Sequence, residues 1–365
     1  MNFDYSDEER LAKDQARRFL ADYAPASLLR AMLDGGGGEA ATRLWREAAA
    51  LGWPGVAVPE VYGGLGIGYV TLCALAEEIG RAAAPVPMFA SIYLAAEALL
   101  LFGDEAQKRR HLPGLAAGER IGTAALGEGA GLEPPFRLQT SRLDGVAAAV
   151  PHGMAADLAI VAAQEDGSRT GLFLVDLAAA GVERAPIRTI DDTHPHARLN
   201  FTGVAAERLE RADDGMAARQ RLLARAAVLV AFEQLGGADA CLDMAVRYAL
   251  ERRSFGRPIG SYQAIKHKLA DMYIKNELAR SNAYYGAWAL AEDAPVLELA
   301  AATARVSAIH AYDFAASENI QVHGGMGFTW EADCHLHYRR ARLLAQALGP
   351  IAAWQDRLVA ALDHA

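Results

Sequence analysis

Apolar and polar positions follow two different rhythms along this chain. Residues 3 to 33 alternate charged and apolar positions at helical spacing, with Ser6 placed as an N-cap and Glu8 and Glu9 in the first turn. The run Gly35 to Gly38 breaks that pattern as a flexible loop, and another helix is expected over about 40 to 51. In GWPGVAVPEVYGGLG, Pro59 with Gly63 and Gly64 forces an ordered turn. Helical patterns follow over about 68 to 83 and 88 to 102. A third, from Glu105 to His111, is expected to stop at Pro113 and Gly114. From about 120 the period shortens: RLDGVAAAV, DLAIVAAQ, TGLFLVDL and ARLNFTGV are short, apolar or alternating, and separated by Gly, Asp and Pro, as antiparallel strands are. After 212 the helical period returns. Met216 to Arg247 is apolar nearly all round at its centre, as in a bundle helix buried on several sides. Ile265, Leu269 and Met272 keep an i, i+4, i+7 rhythm, Val296 to Ile320 is rich in alanine, and Gly349 with Pro350 interrupts the last helical stretch. The prediction is an α+β protein with a helical domain at 1–119, a middle antiparallel β domain at 120–212 and a four-helix bundle at 213–365.

Composition narrows the functional classes. At 365 residues, 52% hydrophobic and 22% charged, the chain has ordinary globular character and room for a large core. A net charge of −9 argues against nucleic acid or an anionic membrane as the partner, though a locally basic pocket can still hold an anionic metabolite. Cys73, Cys241 and Cys334 are scattered and odd in number, so neither a disulfide framework nor a thiolate zinc site is indicated. The acidic start MNFDYSDEER lacks the features of a signal or transit peptide, and no apolar run reaches the roughly 20 residues of a membrane span, so a cytoplasmic location is expected.

Two stretches carry the candidate chemistry. QVHGGMGFTWE, Gln321 to Glu331, sets glycines directly after a long helix, where the backbone either turns with positive φ or is approached closely by a ligand or another helix. RRSFGRPIGSYQ, Arg252 to Gln263, is a polar and aromatic cluster that suggests one constellation with it. Rival signals are weaker. His335 and His337 in DCHLH would not share a helix face, which disfavours a metal site. GEGAG, Gly127 to Gly131, is followed by LEPP and so is not a dinucleotide fingerprint. The histidines of DDTHPHAR, Asp191 to Arg198, are expected in a solvated polar turn.

The order of helical domain, β domain and bundle, together with VPEVYGGLG, EEIGRAAAP, QKRRHLPGLAAGE, YALERRSFGRPI, YQAIKHKLADM and QVHGGMGFTWE, resembles the acyl-CoA dehydrogenase family along the whole chain. The resemblance implies FAD built from two subunits, one holding the ring and the other the pyrophosphate and adenine. It places Arg252, Phe255, Gln263, Gln321, Gly324 and Gly325 on the nucleotide end. A guanidinium forks onto phosphate oxygens and glycine lets the main chain approach the adenosine end, which suits that assignment.

The ring end departs from the family pattern. Where a Thr-Glu-Pro-x-x-Gly-Ser-Asp loop is usual, this chain reads Leu126 to Glu133, with leucine at both hydroxyl positions. Where Trp-Ile-Thr packs on the flavin, it has Ala149, Val150 and Pro151, losing a stacking face, a hydroxyl and a backbone N–H. The usual catalytic glutamate falls at Leu348, and the alternative family position falls at or next to Ala226. Glu233, further along the same helix, is either a displaced base or a buried carboxylate paired with an arginine. The resemblance therefore implies one subunit of a heteromeric α2β2 acyl-CoA dehydrogenase of the kind acting on bulky steroid-type CoA thioesters. The catalytic base would come from a related subunit, and electrons would pass to an electron-transfer flavoprotein. The alternatives are a homomeric enzyme using Glu233 and a structural homologue without flavin.

Overall fold

The computed structural model describes residues 5–127, 133–165, 169–209 and 214–363. Ser6 caps α1 (Asp7–Tyr23): its Oγ accepts from the Glu9 N–H while the Glu9 carboxylate accepts from the Ser6 N–H. Proline at position 25 ends that rhythm, and α2 (Ala26–Leu33) begins afresh. After Gly35 and Gly37, both at positive φ, come α3 (Gly38–Ala50) and α4 (Tyr69–Arg81). The expected helix over 88 to 102 is split: Phe89–Ala96 is wound as a wholly buried π-helix, which continues into α5 (Glu97–Phe102). The expected stop at Pro113 is not observed. The next helix, α6 (Glu105–Ala116), runs through Pro113 and Gly114 and ends where Gly118 adopts φ +68°. Pro113 leaves the Arg109 carbonyl without its usual N–H partner, yet the helix continues for one more turn past it.

The strands are β1 (Gly122–Ala125), β2 (Phe136–Gln139), β3 (Arg142–Pro151), β4 (Leu158–Gln164), β5 (Thr170–Asp176), β6 (Val182–Ile187), β7 (His196–Ala205) and β8 (Glu207–Arg208). Their order in the sheet is β6-β7-β3-β2-β4-β5-β8. The sheet is mixed rather than purely antiparallel, because one edge of β4 pairs in parallel with β1 over Leu158 to Val161 and with β2 at Ala163 and Gln164. Phe136 and Phe201, stacked at 4.4 Å, lie in its core. Beyond it run α7 (Gly215–Glu251), a hairpin of β9 (Arg253–Ser254) and β10 (Arg257–Pro258), then α8 (Gln263–Ala291), α9 (Leu297–His323), α10 (Cys334–Gln346) and α11 (Ile351–Leu362). This is the α+β architecture expected, with Pro350 capping α11 as the fourth arm resumes.

The molecule divides into two compact units that are not contiguous in sequence. One gathers Met1–Gly37, Cys73–Ala84 and Ala227–Ala365, and the other gathers Gly38–Leu72 and Pro85–Ala226. Within the first, α4 and α7 approach backbone to backbone: a Cβ at Gly80 would lie 1.8 Å from the Glu233 carbonyl oxygen, and one at Gly236 would lie 1.8 Å from that of Glu77. Within the second, the π-helix packs on β1, where the Gly122 N–H donates to Ser91 Oγ at 3.0 Å. No helix of the described residues is long and apolar enough to cross a membrane.

Candidate functional site

Both sequence clusters lie in the first unit, and one aromatic contact joins them. The Tyr248 ring, near the end of α7, stacks on that of His323, the last residue of α9, at 4.1 Å and 27°. His323 Nδ1 is fixed in turn 2.8 Å from the Asn319 carbonyl. The C-terminal ends of α7 and α9 are thereby held side by side, and each projects its motif from there.

On the α7 side, the Arg252 carbonyl accepts from the Ile259 N–H at 2.8 Å, closing the β9/β10 hairpin. Its two-residue turn, Phe255 and Gly256, has φ values of +50° and +81°, the twist a tight hairpin needs. Glycine takes that conformation freely, whereas phenylalanine does so at a cost, and the Phe255 ring is 95% exposed. Tyr262 braces the hairpin: its hydroxyl donates to the Ser254 carbonyl at 3.0 Å and the Arg257 guanidinium sits 4.0 Å over its ring. Arg252 is exposed, and Gln263 opens α8, also exposed. On the α9 side, Gln321 is exposed and Gly324 ends the helix at φ 59°, ψ −138°, a region open only to glycine. Nothing lies within 4 Å of a Cβ built on Gly324 or Gly325, so a ligand can reach the main chain there. Gly327 has a different reason, since its Cβ would meet the Ile320 carbonyl at 2.5 Å. Met326, Phe328 and Trp330, on either side of it, are exposed.

These features fit the nucleotide end of a dinucleotide: exposed guanidinium donors, an aromatic plate, and glycine backbone with open space above it. They form a surface rather than a pocket.

The positions aligned with the flavin-ring contacts lie in the second unit. At the end of β3, Ala149 is exposed with no ring to offer, and Val150 is buried. The Pro151 carbonyl is taken by Thr123 Oγ1 at 2.6 Å. Of the loop 126–133, residues 128–132 lie outside the described residues. Its first residue is pinned from α7 by buried Arg219, whose Nη1 donates to the Leu126 carbonyl at 3.0 Å.

One expectation fails here. His194 is not in a solvated turn but 1% exposed, its ring edge-on to that of His152 at 5.5 Å. The turn folds back because Asp191 Oδ1 accepts from both the N–H and the hydroxyl of Thr193, and because His152, at φ +52°, takes the Pro195 carbonyl at 2.7 Å. His196 is half-buried, with Nδ1 2.8 Å from the His194 carbonyl.

Neither position for a catalytic carboxylate holds one. Leu348 is buried between α10 and α11, where its carbonyl accepts from Trp354 Nε1 at 3.0 Å, and Ala226 is fully buried. Glu233 is 1% exposed, on the seam where α7 meets Gly80 of α4. Among the described residues no cluster of three metal-ligating side chains occurs. His335 stacks on Trp330 and His337 Nδ1 lies 3.0 Å from the Tyr312 hydroxyl. Sequence reasoning also missed a trio in the second unit, with Glu97 and Arg225 buried and Tyr69 partly so. Glu97, at the start of α5, accepts from Tyr69 and from Arg225, which is the neighbour of Ala226. No local signal linked these three residues.

Comparison with known proteins agrees with this layout. Residues 6–119 match the acyl-CoA dehydrogenase N-terminal domain and residues 213–361 the acyl-CoA dehydrogenase C-terminal domain. The solved structure of a Tcur3481-Tcur3483 steroid ACAD variant is 33% identical, with 98% of each chain covered and a TM-score of 0.88. The chain belongs to the acyl-CoA dehydrogenase family. Members of this family are oxidoreductases acting on acyl-CoA. The ChsE4-ChsE5 complex from Mycobacterium tuberculosis is similar at 27% identity over 100% of both chains, with a TM-score of 0.88. The acyl-CoA dehydrogenase FadE34 of the same organism is 35% identical over 97% of this chain, which spans only 48% of that longer relative.

Proposed function

We propose that this chain is one subunit of a heteromeric α2β2 acyl-CoA dehydrogenase, giving the adenine and pyrophosphate end of FAD a seat while a related subunit holds the ring and supplies the base. In this reading Arg252 pairs with the pyrophosphate, Phe255 stacks on the adenine, Gln263 and Gln321 hydrogen-bond the nucleotide, and Gly324 and Gly325 let it approach. The segments 1–119, 120–212 and 213–365 act as the three domains. Bound FAD would supply the acceptor for a hydride from the β-carbon of the thioester. The α-proton must go to a carboxylate within about 3 Å in a dry site, and this chain has Leu348 where that carboxylate is expected.

The observation that carries the proposal is an asymmetry. The nucleotide-type residues are assembled and exposed at the joined ends of α7 and α9, whereas the usual base position is an apolar, buried leucine. The likeness to a steroid ACAD named for two components, and to a two-component complex, supports both the pairing and a bulky steroid-type acyl group. An electron-transfer flavoprotein is the proposed electron acceptor. The test is expression of the chain alone and together with a related dehydrogenase subunit, followed by flavin absorbance, size and turnover. Yellow, active heterotetramer only on co-expression is the expected result; a yellow, active homotetramer from this chain alone overturns the proposal. Should the latter appear, Glu233→Gln decides whether Glu233 is the base, because that change would abolish turnover and leave flavin bound.

A further inference from the structure

A second polar group lies inside the first unit, remote from solvent. Arg305, on α9, has no exposed surface, and among the described residues its guanidinium is met by neutral acceptors. Nη1 donates to Gln234 Oε1 on α7 at 2.5 Å, and Nη2 donates to the Leu344 carbonyl in the last turn of α10. Among the described residues Arg305 forms no ion pair, its Nε–H has no acceptor, and Gln234 Nε2, also fully buried, has none. The turn of α9 around it is apolar, with Ala304 and Ala308 packing on Ala231 of α7.

A charge this deep is expensive unless something cancels it. Amide and carbonyl dipoles satisfy individual N–H groups but leave a full positive charge in an apolar interior. The end of α10 offers at most a partial negative charge. Burial alone pushes the Arg305 guanidinium down to about 9, and no neighbouring charge opposes that shift. Two side chains, tied by one hydrogen bond, thus each retain an unused N–H in a place that water reaches only by being trapped.

We infer that Arg305 and Gln234 form the donor side of an internal site for a monovalent anion of halide size. A single small acceptor with no protons of its own can take N–H groups from Arg305 Nε and Gln234 Nε2 together, and its charge neutralises the guanidinium. Because both donors are fully buried, an ion with no body beyond the accepting atom costs least to enclose, and a divalent anion would leave an uncancelled negative charge. The role is structural: the anion locks α7, α9 and the last turn of α10 together, and it is independent of flavin.

The test uses the full-length chain, with any partner subunit it requires. Thermal unfolding is followed in sodium chloride or bromide against sodium gluconate at equal ionic strength. Arg305→Met and the milder Gln234→Met are measured alongside, and crystals are soaked in bromide. A saturable halide-dependent rise in Tm of about 2–4 °C is expected. It should be absent in Arg305→Met and reduced in Gln234→Met, with a bromide anomalous peak beside Arg305 Nε. Should Arg305→Met fail to fold, Gln234→Met and the soak still decide. Equal halide response in the variants, or a water that bromide does not replace, overturns the inference.

Discussion

Tyr248 and His323 stack face to face at 4.1 Å, and this pair fixes the end of α7 against the end of α9. An aromatic pair contributes about 0.5–1.5 kcal/mol beyond its burial. Tyr248→Leu should therefore lower Tm only slightly, yet loosen the hairpin from the Gly324 turn. Flavin retention by the assembled enzyme should fall about tenfold, and fluorescence titration of FAD would show it.

Phe255 and Gly256 predict opposite outcomes for stability and binding. A non-glycine residue in the left-handed region costs about 1–2 kcal/mol, offset in part by the entropy of an added glycine. Phe255→Gly should leave the isolated chain as stable as before or up to about 1 kcal/mol more so by urea titration. The same variant should lose most of its flavin affinity in the complex.

The two adjacent glycines separate backbone need from ligand access. Gly324→Ala forces an L side chain into φ 59°, ψ −138° and should cost about 1–3 kcal/mol of stability. Gly325→Ala, whose Cβ meets nothing within 4 Å, should unfold like the parent chain while weakening FAD binding. Equal loss of stability in both would show that position 325 is held by packing.

Where α4 meets α7, no methyl can be admitted. Gly80→Ala or Gly236→Ala places a Cβ 1.8 Å from a backbone oxygen, so the helices must part, at a cost of about 3 kcal/mol or more. Poor expression or a large drop in urea midpoint is the expected readout.

Acid should destabilise the fold below neutrality. Burial holds the imidazoles of His111, His196 and His335 below their ordinary 6.5. The folded state therefore binds their protons less readily than the unfolded chain, and the stability present above pH 6.5 is lost as pH falls from there towards the folded values. His196→Asn should flatten part of that slope in a Tm series from pH 7.5 to about 5, a window set by the usual histidine range.

Much of the architecture was legible because each of three successive stretches, helical, strand-rich and helical again, keeps one period. β4 and β5 were visible as continuous apolar runs, and β3 and β7 as mixed apolar and polar ones, each between turn residues. β1 escaped because GTAA is buried throughout and rich in alanine, which favours helix out of context. β6 escaped because VERAPI is an exposed edge strand carrying a proline. The nucleotide-type residues could be read because each cluster is contiguous. What joins the clusters, a tyrosine on one helix and a histidine on another, has no local signature. The burial of His194 was equally hidden, since it depends on a left-handed histidine in a different strand end.

The rings of Phe255 and Phe328 have one consequence for the chain in solution. Both are more than four-fifths bare to water, at helix ends that lie together. Greasy surface of that kind invites sticking wherever its natural cover is missing. Purified by itself, the polypeptide should clump as concentration rises, so poor solubility would be the first sign of a lost companion.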